Sequence, residues 1–297
     1  MNELSTCVLG SSSVGNATVI WNSRTAVLVD CGFNPAYMKE GFQDLGLKIS
    51  DLHGVLITHI HGDHVNESTG RRLIKERIPI YCPSQIAMHL KTRYGTFKQA
   101  SHEGLLRIIK KSEAELNEFH ICSFEVHHDS GGGCFGYSIF SESGGRTRKI
   151  SVTTDMAYPT KSAIHHMANS DVIVIESNYD EGMLENSSRP AWLKRRIQEE
   201  GHLSNDQCAD ALLQIIDHSH TLPRSLTLAH VSQQCNTNAL ALGCTREALD
   251  KAGIGGVKLF ETHPDSPGRT ITVDQTSNGS SEDQEIEMTV TFLRSIH

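Results

Sequence analysis

The sequence predicts an α/β (α+β) domain in which β-sheets are covered by helices. Short runs of β-branched and apolar residues recur through the 297-residue chain, with helix-like segments between them. Histidine or aspartate follows several of these runs, at the strand-to-loop junctions where binding residues often lie. A chain with this alternation buries its apolar surface by packing helices on sheets.

The elements follow one another at short intervals. Strands are predicted at residues 4–9, 17–21 and 26–30, and a Gly/Ser loop over residues 10–16 joins the first two. A helix is predicted over residues 35–45, because its pattern ends near Gly46. Val55-Leu56-Ile57 is predicted to be a buried strand. Further strands are predicted at residues 78–82, 124–128, 137–140, 150–153, 171–175, 225–230 and 257–260. Further helices are predicted at residues 84–94, 190–199, 205–217 and 238–252.

Composition indicates a soluble folded protein. Hydrophobic residues make up 38% of the chain and charged residues 21%, which argues against disorder. No apolar run approaches the roughly 20 residues that span a bilayer, so no membrane partner is expected. The chain starts without a signal-peptide pattern and its eight cysteines include no Cys-x-x-Cys pair, so a cytoplasmic location is predicted. We expect residues 1–273 to form a hydrolase domain and the polar residues 274–297 to form a flexible tail.

The formal net charge of −8 argues against a wide basic surface of the kind that coats nucleic acid. Basic clusters remain at residues 71–72, 146–149 and 194–196. A nucleic-acid substrate is therefore compatible with the charge, although the charge does not predict one.

The strongest functional signal is the cluster His59-Ile60-His61-Gly62-Asp63-His64, which directly follows the buried strand. Imidazole binds zinc, iron or manganese, and a carboxylate can complete or bridge a second site. A strand ending in a tight turn presents alternate residues on one side. His59 and His61 are therefore predicted to bind one ion, while Asp63 and His64 bend towards a second.

Two ions need more ligands than one loop supplies, and three later strands end in suitable residues. These are His127-His128-Asp129, Thr153-Thr154-Asp155 and Leu228-Ala229-His230. His127 competes with His128 for the role of ligand, and the following Asp129 favours His128. The shared position after strands predicts that these segments meet the histidine cluster.

Together with this cluster, five stretches resemble the metallo-β-lactamase superfamily and, within it, the YycJ/WalJ-like group, thought to be nucleases related to tRNase Z and RNase J. They occur in the family's order between residue 4 and about residue 273. They are Leu9-Gly10-Ser11-Ser12-Ser13-Val14-Gly15-Asn16-Ala17-Thr18, Val29-Asp30-Cys31-Gly32, Glu176-Ser177-Asn178-Tyr179-Asp180, Gly201-His202-Leu203-Ser204-Asn205 and Leu228-Ala229-His230-Val231-Ser232. The resemblance implies a four-layer αββα sandwich, in which two mixed β-sheets are flanked by helices.

The resemblance also implies roles for individual residues around two divalent ions, with zinc expected and manganese as the alternative. One ion would be held by His59, His61 and His128. The other would be held by Asp63, His64 and His230, with Asp155 bridging both and Asp30 orienting the cluster from behind. Asp63, Glu176 and His202 are the predicted catalytic residues, the last two through proton transfer to the leaving group. For His202, a structural role beside a helix cap at Ser204 stays open.

The implied activity is that of a phosphodiesterase or nuclease, exonuclease-like, acting on DNA or RNA. Two cations about 3.5–4 Å apart would lower the pKa of a bridging water towards 7 and prepare the attacking hydroxide. Backbone N–H groups of the Gly/Ser loop can receive a phosphate, although such a turn is more often simply a hairpin. The oligomeric state is left open, with a homodimer as one option.

Departures from the group's pattern leave the substrate uncertain. They are His127 where a serine is usual, Tyr179 where a histidine is usual, and Cys235-Asn236 where Asn-Asn is common. One alternative is a small-molecule hydrolase of the same fold, such as a thioesterase or lactonase. Glyoxalase II-like members usually have Gly-Gly soon after the Asp-His, whereas Val65-Asn66-Glu67-Ser68 follows here. A non-catalytic binding scaffold is the other alternative, and it would predict lost ligands.

Overall fold

The computed structural model describes residues 3–143 and 145–273, and the predicted tail lies outside these residues. The strands are β1 (Leu4–Ser12), β2 (Gly15–Trp21), β3 (Ala26–Val29), β4 (Gly54–Leu56), β5 (Ile80–Cys82), β6 (Leu106–Ile108), β7 (Glu113–Leu116), β8 (Phe119–Val126), β9 (Cys134–Ser143), β10 (Arg146–Thr153), β11 (Val172–Glu176), β12 (Ser225–Ala229), β13 (Lys258–Phe260) and β14 (Ile271–Val273). The helices are α1 (Pro35–Asp44), α2 (Glu67–Lys75), α3 (Ser84–Arg93), α4 (Gly95–His102), α5 (Lys161–Met167), α6 (Glu181–Asn186), α7 (Ala191–Arg196), α8 (Asn205–Asp217) and α9 (Asn238–Lys251).

These strands form two mixed sheets. The first has the order β14–β1–β2–β3–β4–β5–β6, and the second has the order β13–β12–β11–β10–β9–β8–β7. In the first sheet, β3 to β6 are parallel and the other pairs are antiparallel. In the second, β10 to β13 are parallel and β7 to β10 are antiparallel.

Successive side chains of the strands point to opposite faces of each sheet and so contribute to three apolar layers. One layer lies between the two sheets, and the other two lie between each sheet and its helices. Val27 and Val29 of β3 pack between the sheets, where they join Val172 and Val174 of β11. The intervening Leu28 packs in the layer that contains Met38 and Phe42 of α1. Because successive strand residues face opposite sides, an apolar strand can serve both layers.

Helices cover the outer face of each sheet. Apolar residues of α1, α2, α3 and α4 pack on the first sheet, and those of α5, α8 and α9 pack on the second. This arrangement is the predicted αββα sandwich. Among the described residues, no helix is long and apolar enough to cross a membrane.

The Gly/Ser segment differs from its prediction as a loop. Ser11 and Ser12 pair with Asn16 and Gly15, so that β1 and β2 form a hairpin with a two-residue turn. Small residues suit this position because a Cβ on Gly15 would lie within 2.6 Å of the Phe33 ring. The prediction of a loop was wrong because serine and glycine are usually turn formers.

Several short elements were not predicted. They are α2, α4, α5, α6, β6, β7 and β14. Helix α2 shows why: its sequence is largely polar, but the Asn66 side chain accepts hydrogen bonds from the N–H groups of Ser68 and Thr69 and so starts the helix. The predicted helix at residues 190–199 ends as α7 at Arg196 and continues as a π-helical turn over Ile197–Gly201.

The carboxyl ends of β3 and β4 in one sheet, and of β8, β10, β11 and β12 in the other, carry the predicted site residues except His202, which follows the π-helical turn. The loop after β3 packs tightly against the loop after β4. A Cβ on Gly32 would lie 1.7 Å from the backbone oxygen of Asp63, so only glycine fits here. The backbone N–H of Cys31 donates to the carbonyl of His64 at 2.9 Å. The histidine loop is therefore fixed by backbone contacts.

Candidate metal centre

Asp30 fixes the start of the histidine loop. Its Oδ1 accepts a hydrogen bond from the Thr58 N–H at 2.9 Å, and its Oδ2 accepts one from the Thr58 hydroxyl at 2.7 Å. The same Oδ2 lies 2.7 Å from Nδ1 of His64. Asp30 is buried and has a positive φ of 62°. One carboxylate thus sets both the loop and the orientation of a histidine ring.

His59, His61 and His128 form the first group of nitrogen atoms. His59 Nε2 lies 3.0 Å from His61 Nδ1, which lies 3.2 Å from His128 Nε2. His128 Nδ1 donates to the Gly201 carbonyl at 2.6 Å, so its Nε2 carries the free lone pair. His127 instead stacks on Tyr158, with ring centroids 4.6 Å apart. Of the two competing histidines, the structure places His128 in the cluster.

Asp63, His64 and His230 form the second group. Oδ2 of Asp63 lies 3.4 Å from Nε2 of each histidine. Like Asp30, His230 follows a strand with positive φ, here 53°. Its N–H donates to the Ser11 hydroxyl at 2.8 Å, which ties the end of β12 to the β1–β2 hairpin.

Asp155 lies between the two groups. Its Oδ2 is 3.0 Å from His64 Nε2, and its Oδ1 is 3.7 Å from His128 Nε2 and 3.8 Å from His230 Nε2. The side chain is buried, and Oδ2 accepts no well-directed hydrogen bond despite its closeness to His64. Since His64 Nδ1 faces Asp30, a singly protonated His64 turns a lone pair towards a carboxylate oxygen. A cation between these atoms would satisfy both, so the residues fit a metal.

The electrostatics of the two groups differ. Burial, with a smaller contribution from His128, lowers the pKa of His61 to about 4. Burial likewise lowers the pKa of His59 and of His128. The first group is therefore neutral at ordinary pH, which is the form of imidazole that binds metals.

The second group is dominated by its carboxylates. Although burial disfavours the imidazolium, Asp155 and hydrogen bonds to Asp63 and Glu176 raise the pKa of His230 to about 10. The pKa of His64 is also raised against the effect of burial, through Asp155, Asp63 and Asp30. The carboxylates thus concentrate negative charge in the second group. In the absence of a metal, protons on His64 and His230 balance this charge.

Glu176 joins His202 to the centre. Its Oε1 lies 2.6 Å from His202 Nδ1 and 3.3 Å from His230 Nδ1. Its Oε2 accepts hydrogen bonds from the N–H groups of Met156 and Leu203 at 2.9 and 3.3 Å. Glu176 is fully buried, whereas 20% of the His202 side chain is exposed. A rigid carboxylate therefore holds one nitrogen of a ring that reaches the solvent.

The predicted cap beside His202 is also present. The Ser204 hydroxyl accepts from the Gln207 N–H, and the Gln207 side chain accepts from the Ser204 N–H, which together start α8. The cap holds the chain next to His202 and does not engage the His202 ring.

Two asparagines belong to the site but were not singled out from the sequence. Asn16 Nδ2 lies 3.0 Å from His64 Nε2 and 3.4 Å from Asp63 Oδ2. Asn178 Nδ2 donates to the His230 carbonyl at 2.7 Å and lies 2.9 Å from His230 Nδ1. Both lie within the stretches that resemble the family, and that position was the available signal.

A cleft of about 250 Å³ opens over the centre. Its lining includes the clustered histidines and aspartates together with Arg189, Leu193 and Arg196. Arg196 pairs with Asp129, and Arg189 donates to the Gln234 side chain at 3.2 Å. Trp192, between these arginines in sequence, is 67% exposed. Arg189 and Arg196 therefore form a basic wall of the cleft, and the exposed Trp192 ring lies outside the residues that line it.

Comparison with known proteins agrees with this geometry. Residues 25–231 match the model of the beta-lactamase superfamily domain. The chain is 28% identical over 265 residues to exodeoxyribonuclease YycJ of Bacillus anthracis, covering 88% of this chain and 94% of that protein. It is 27% identical over 263 residues to exodeoxyribonuclease WalJ of Streptococcus pneumoniae, covering 87% and 94% respectively.

The fold is also found among solved structures. The metallo-beta-lactamase fold protein YhfI from Bacillus subtilis superposes with a TM-score of 0.64 at 16% identity, over 92% of this chain and all of that one. The family model covers more than two thirds of the chain, and the αββα layers match those expected of the family. The chain therefore belongs to the beta-lactamase superfamily and has the metallo-β-lactamase fold.

Proposed function

We propose that this protein is a two-metal phosphodiesterase that acts as a nuclease, exonuclease-like, on DNA or RNA. The observation that carries the proposal is the buried Asp155 carboxylate, which lies between two histidine groups and has one oxygen without a well-directed hydrogen bond. The names of the two relatives support a nucleic-acid substrate, since both are called exodeoxyribonucleases.

In this proposal each group of ligands holds one divalent cation. His59, His61 and His128 hold the first, Asp63, His64 and His230 hold the second, and Asp155 contributes to both. Zinc suits the five imidazoles, and manganese is the alternative because of the carboxylates. When bound, the cations supply Lewis acidity to the phosphate and a water of lowered pKa. Asp30, Asn16 and Asn178 keep the ligands in place.

His202 supplies the proton for the leaving group. Glu176 accepts a hydrogen bond from His202 Nδ1 at 2.6 Å, so the second ring nitrogen is the one available to the cleft. A protonated Nε2 can donate to the departing alkoxide oxygen, and the buried carboxylate holds the ring in place for the transfer.

The basic wall positions the nucleic acid. Arg189 and Arg196 line the cleft, and their guanidinium groups suit the phosphates next to the scissile bond. The exposed ring of Trp192 offers a stacking surface for a base. A small lactone or thioester would need neither feature, which favours the polynucleotide reading.

Hydrolysis of nucleic acid is the first test. We expect the metal-loaded protein to degrade 5′-phosphorylated or unphosphorylated DNA or RNA strands, single or double, and to lose activity on chelation. Asp63→Asn should lower activity by at least about 100-fold, because Asp63 is a proposed ligand and losing even an outer partner of a metal ligand costs about 10- to 100-fold. Asp217→Asn is the matched control, since this carboxylate is exposed at the end of α8.

The same assay separates the alternatives. Metal-dependent turnover of thioesters or lactones, without hydrolysis of any nucleic acid, would replace this proposal by a small-molecule hydrolase. A folded protein with neither metal nor hydrolysis would indicate a binding scaffold.

The role of His202 predicts a dependence on the leaving group. His202→Ala should lower kcat on a dinucleotide by about 100-fold or more, since general acids contribute about 10²–10⁴-fold. The loss on bis(p-nitrophenyl) phosphate should be small, because p-nitrophenolate leaves without a proton. His218→Ala, an exposed histidine after α8, is the control. Equal losses on both substrates would assign His202 a structural role instead.

Trp192 distinguishes a polynucleotide from a small diester. Stacking of one base is worth about 1–3 kcal/mol, so Trp192→Ala should raise KM for an oligonucleotide roughly 5- to 150-fold. Kinetics on bis(p-nitrophenyl) phosphate should not change. Leu240→Ala, an exposed apolar residue of α9, is the control. An unchanged KM for oligonucleotides of several lengths would contradict the stacking surface.

A further inference from the structure

A second group of metal-binding side chains lies on the β7–β8 hairpin, at the edge of the second sheet. Glu113 pairs across the strands with Cys122, and Glu115 pairs with His120. Residues two apart on a strand share a face, so all four side chains lie on one side of the hairpin. Ligand atoms of Glu113, His120 and Cys122 lie within 4.8 Å of one another.

Hydrogen bonding orients the His120 ring for binding. Its Nδ1 lies 2.6 Å from the Glu115 carboxylate and donates to it, because an ionised carboxylate only accepts. Nε2 of a neutral ring then carries the lone pair, and it lies 3.3 Å from the Cys122 sulfur. A carboxylate behind a histidine whose other nitrogen faces the ligand position is the usual arrangement around protein-bound zinc.

The spacing of the donor atoms fits one ion. Zinc–nitrogen and zinc–sulfur bonds of about 2.05 and 2.3 Å at a tetrahedral angle place the two donors about 3.6 Å apart. The observed separation of 3.3 Å is within a few tenths of an ångström of that value. Glu113 supplies the third ligand. Because Glu113 is exposed and His120 and Cys122 are only half-buried, water can reach the ion as the fourth ligand.

A positive charge near the group is Lys149 on strand β10, which β9 separates from β8. Its ammonium lies 5.2 Å from the centroid of the Phe140 ring and donates to the Ala168 carbonyl at 2.6 Å. The carboxylates of Glu113 and Glu115 lie beside this cation and supply the negative charge that attracts a divalent ion, and the Cys122 proton leaves when the ion binds.

The hairpin group is distinct from the catalytic centre. His120 lies at the start of β8, and His128 follows the end of that strand. Eight residues of extended chain correspond to about 26 Å, so the two groups cannot share an ion.

We propose that Glu113, His120 and Cys122 form a separate site for a thiophilic divalent cation, zinc in the first instance. The ion joins β7 to β8 through side chains as well as through the backbone. Among the described strands β7 pairs only with β8, so this clamp secures the edge of the sheet. The inference does not depend on the nuclease proposal.

Cobalt(II) titration of the metal-free full-length protein tests the site. The predicted catalytic ligands are histidine and aspartate only, whereas the hairpin site contains a thiolate. We therefore expect a thiolate-to-cobalt charge-transfer band in the near ultraviolet whose final intensity corresponds to one thiolate-bound cobalt per chain, beyond any cobalt taken up by the catalytic centre, and which disappears when zinc is added. Cys122→Ser should abolish it, and His120→Asn and Glu113→Gln should each weaken cobalt binding at least about tenfold.

Matched variants make the result decisive. Cys244→Ser is the control, because this cysteine is also half-buried and outside any disulfide, and the variant should retain the band. Circular dichroism and hydrolytic activity should be unchanged in the hairpin variants, since they lie far from the cleft. No band in the wild type would overturn the proposal. A band that survives Cys122→Ser would also overturn it and would point to another thiol, such as Cys134, which lies 3.6 Å from His59 Nδ1.

Discussion

The Asp155 carboxylate is buried among four imidazole rings, and its negative charge must be balanced by the groups that the surrounding loops provide. An isolated buried carboxylate is costly, and here two neighbouring carboxylates, Asp63 and Asp30, add to the cost. The metal-free protein meets this balance by keeping protons on His64 and His230, whose pKa values are raised. Cations can replace those protons, so that metal binding and proton release are linked.

The rigidity of the surrounding backbone follows from the same requirement. Ligands that are fully satisfied only when a cation is bound stay in position without one where the chain leaves their side chains little freedom. Asp30 holds Thr58 and His64, Gly32 admits the Asp63 backbone, and Asn178 holds the end of β12 at His230. These contacts place a preorganised ligand set at the meeting point of two sheets, which is the arrangement that metal catalysis needs.

The sequence predicted those parts of the site whose signal is local. The six residues from His59 to His64 follow an apolar strand directly, so their position could be inferred without knowing the fold. The choice of His128 over His127 depended on the following Asp129 and on the resemblance, because both histidines follow the same strand and alternation sends neighbours to opposite sides. The actual partner is set by the Gly201 carbonyl, 73 residues later. The shared position after strands made Asp155 and His230 candidate ligands, and the family resemblance supplied their roles.

Elements stabilised mainly by tertiary contacts were missed for a related reason. Strand β7 has the sequence Glu-Ala-Glu-Leu, without a β-branched residue, and it is a strand because it pairs with β8. The basic wall of the cleft was also beyond the sequence. Basic residues at 194–196 were visible, but only the fold brings Arg196 and Arg189 to face the histidines.

The central claim is that segments following four strands share a pair of cations. Anomalous diffraction at the zinc absorption edge, from crystals of the zinc-loaded protein, tests it most directly. The account predicts two peaks in the cleft about 3.5–4 Å apart, with Asp155 between them and one histidine group beside each. A single peak, or peaks that leave Asp155 outside coordination distance, would contradict it.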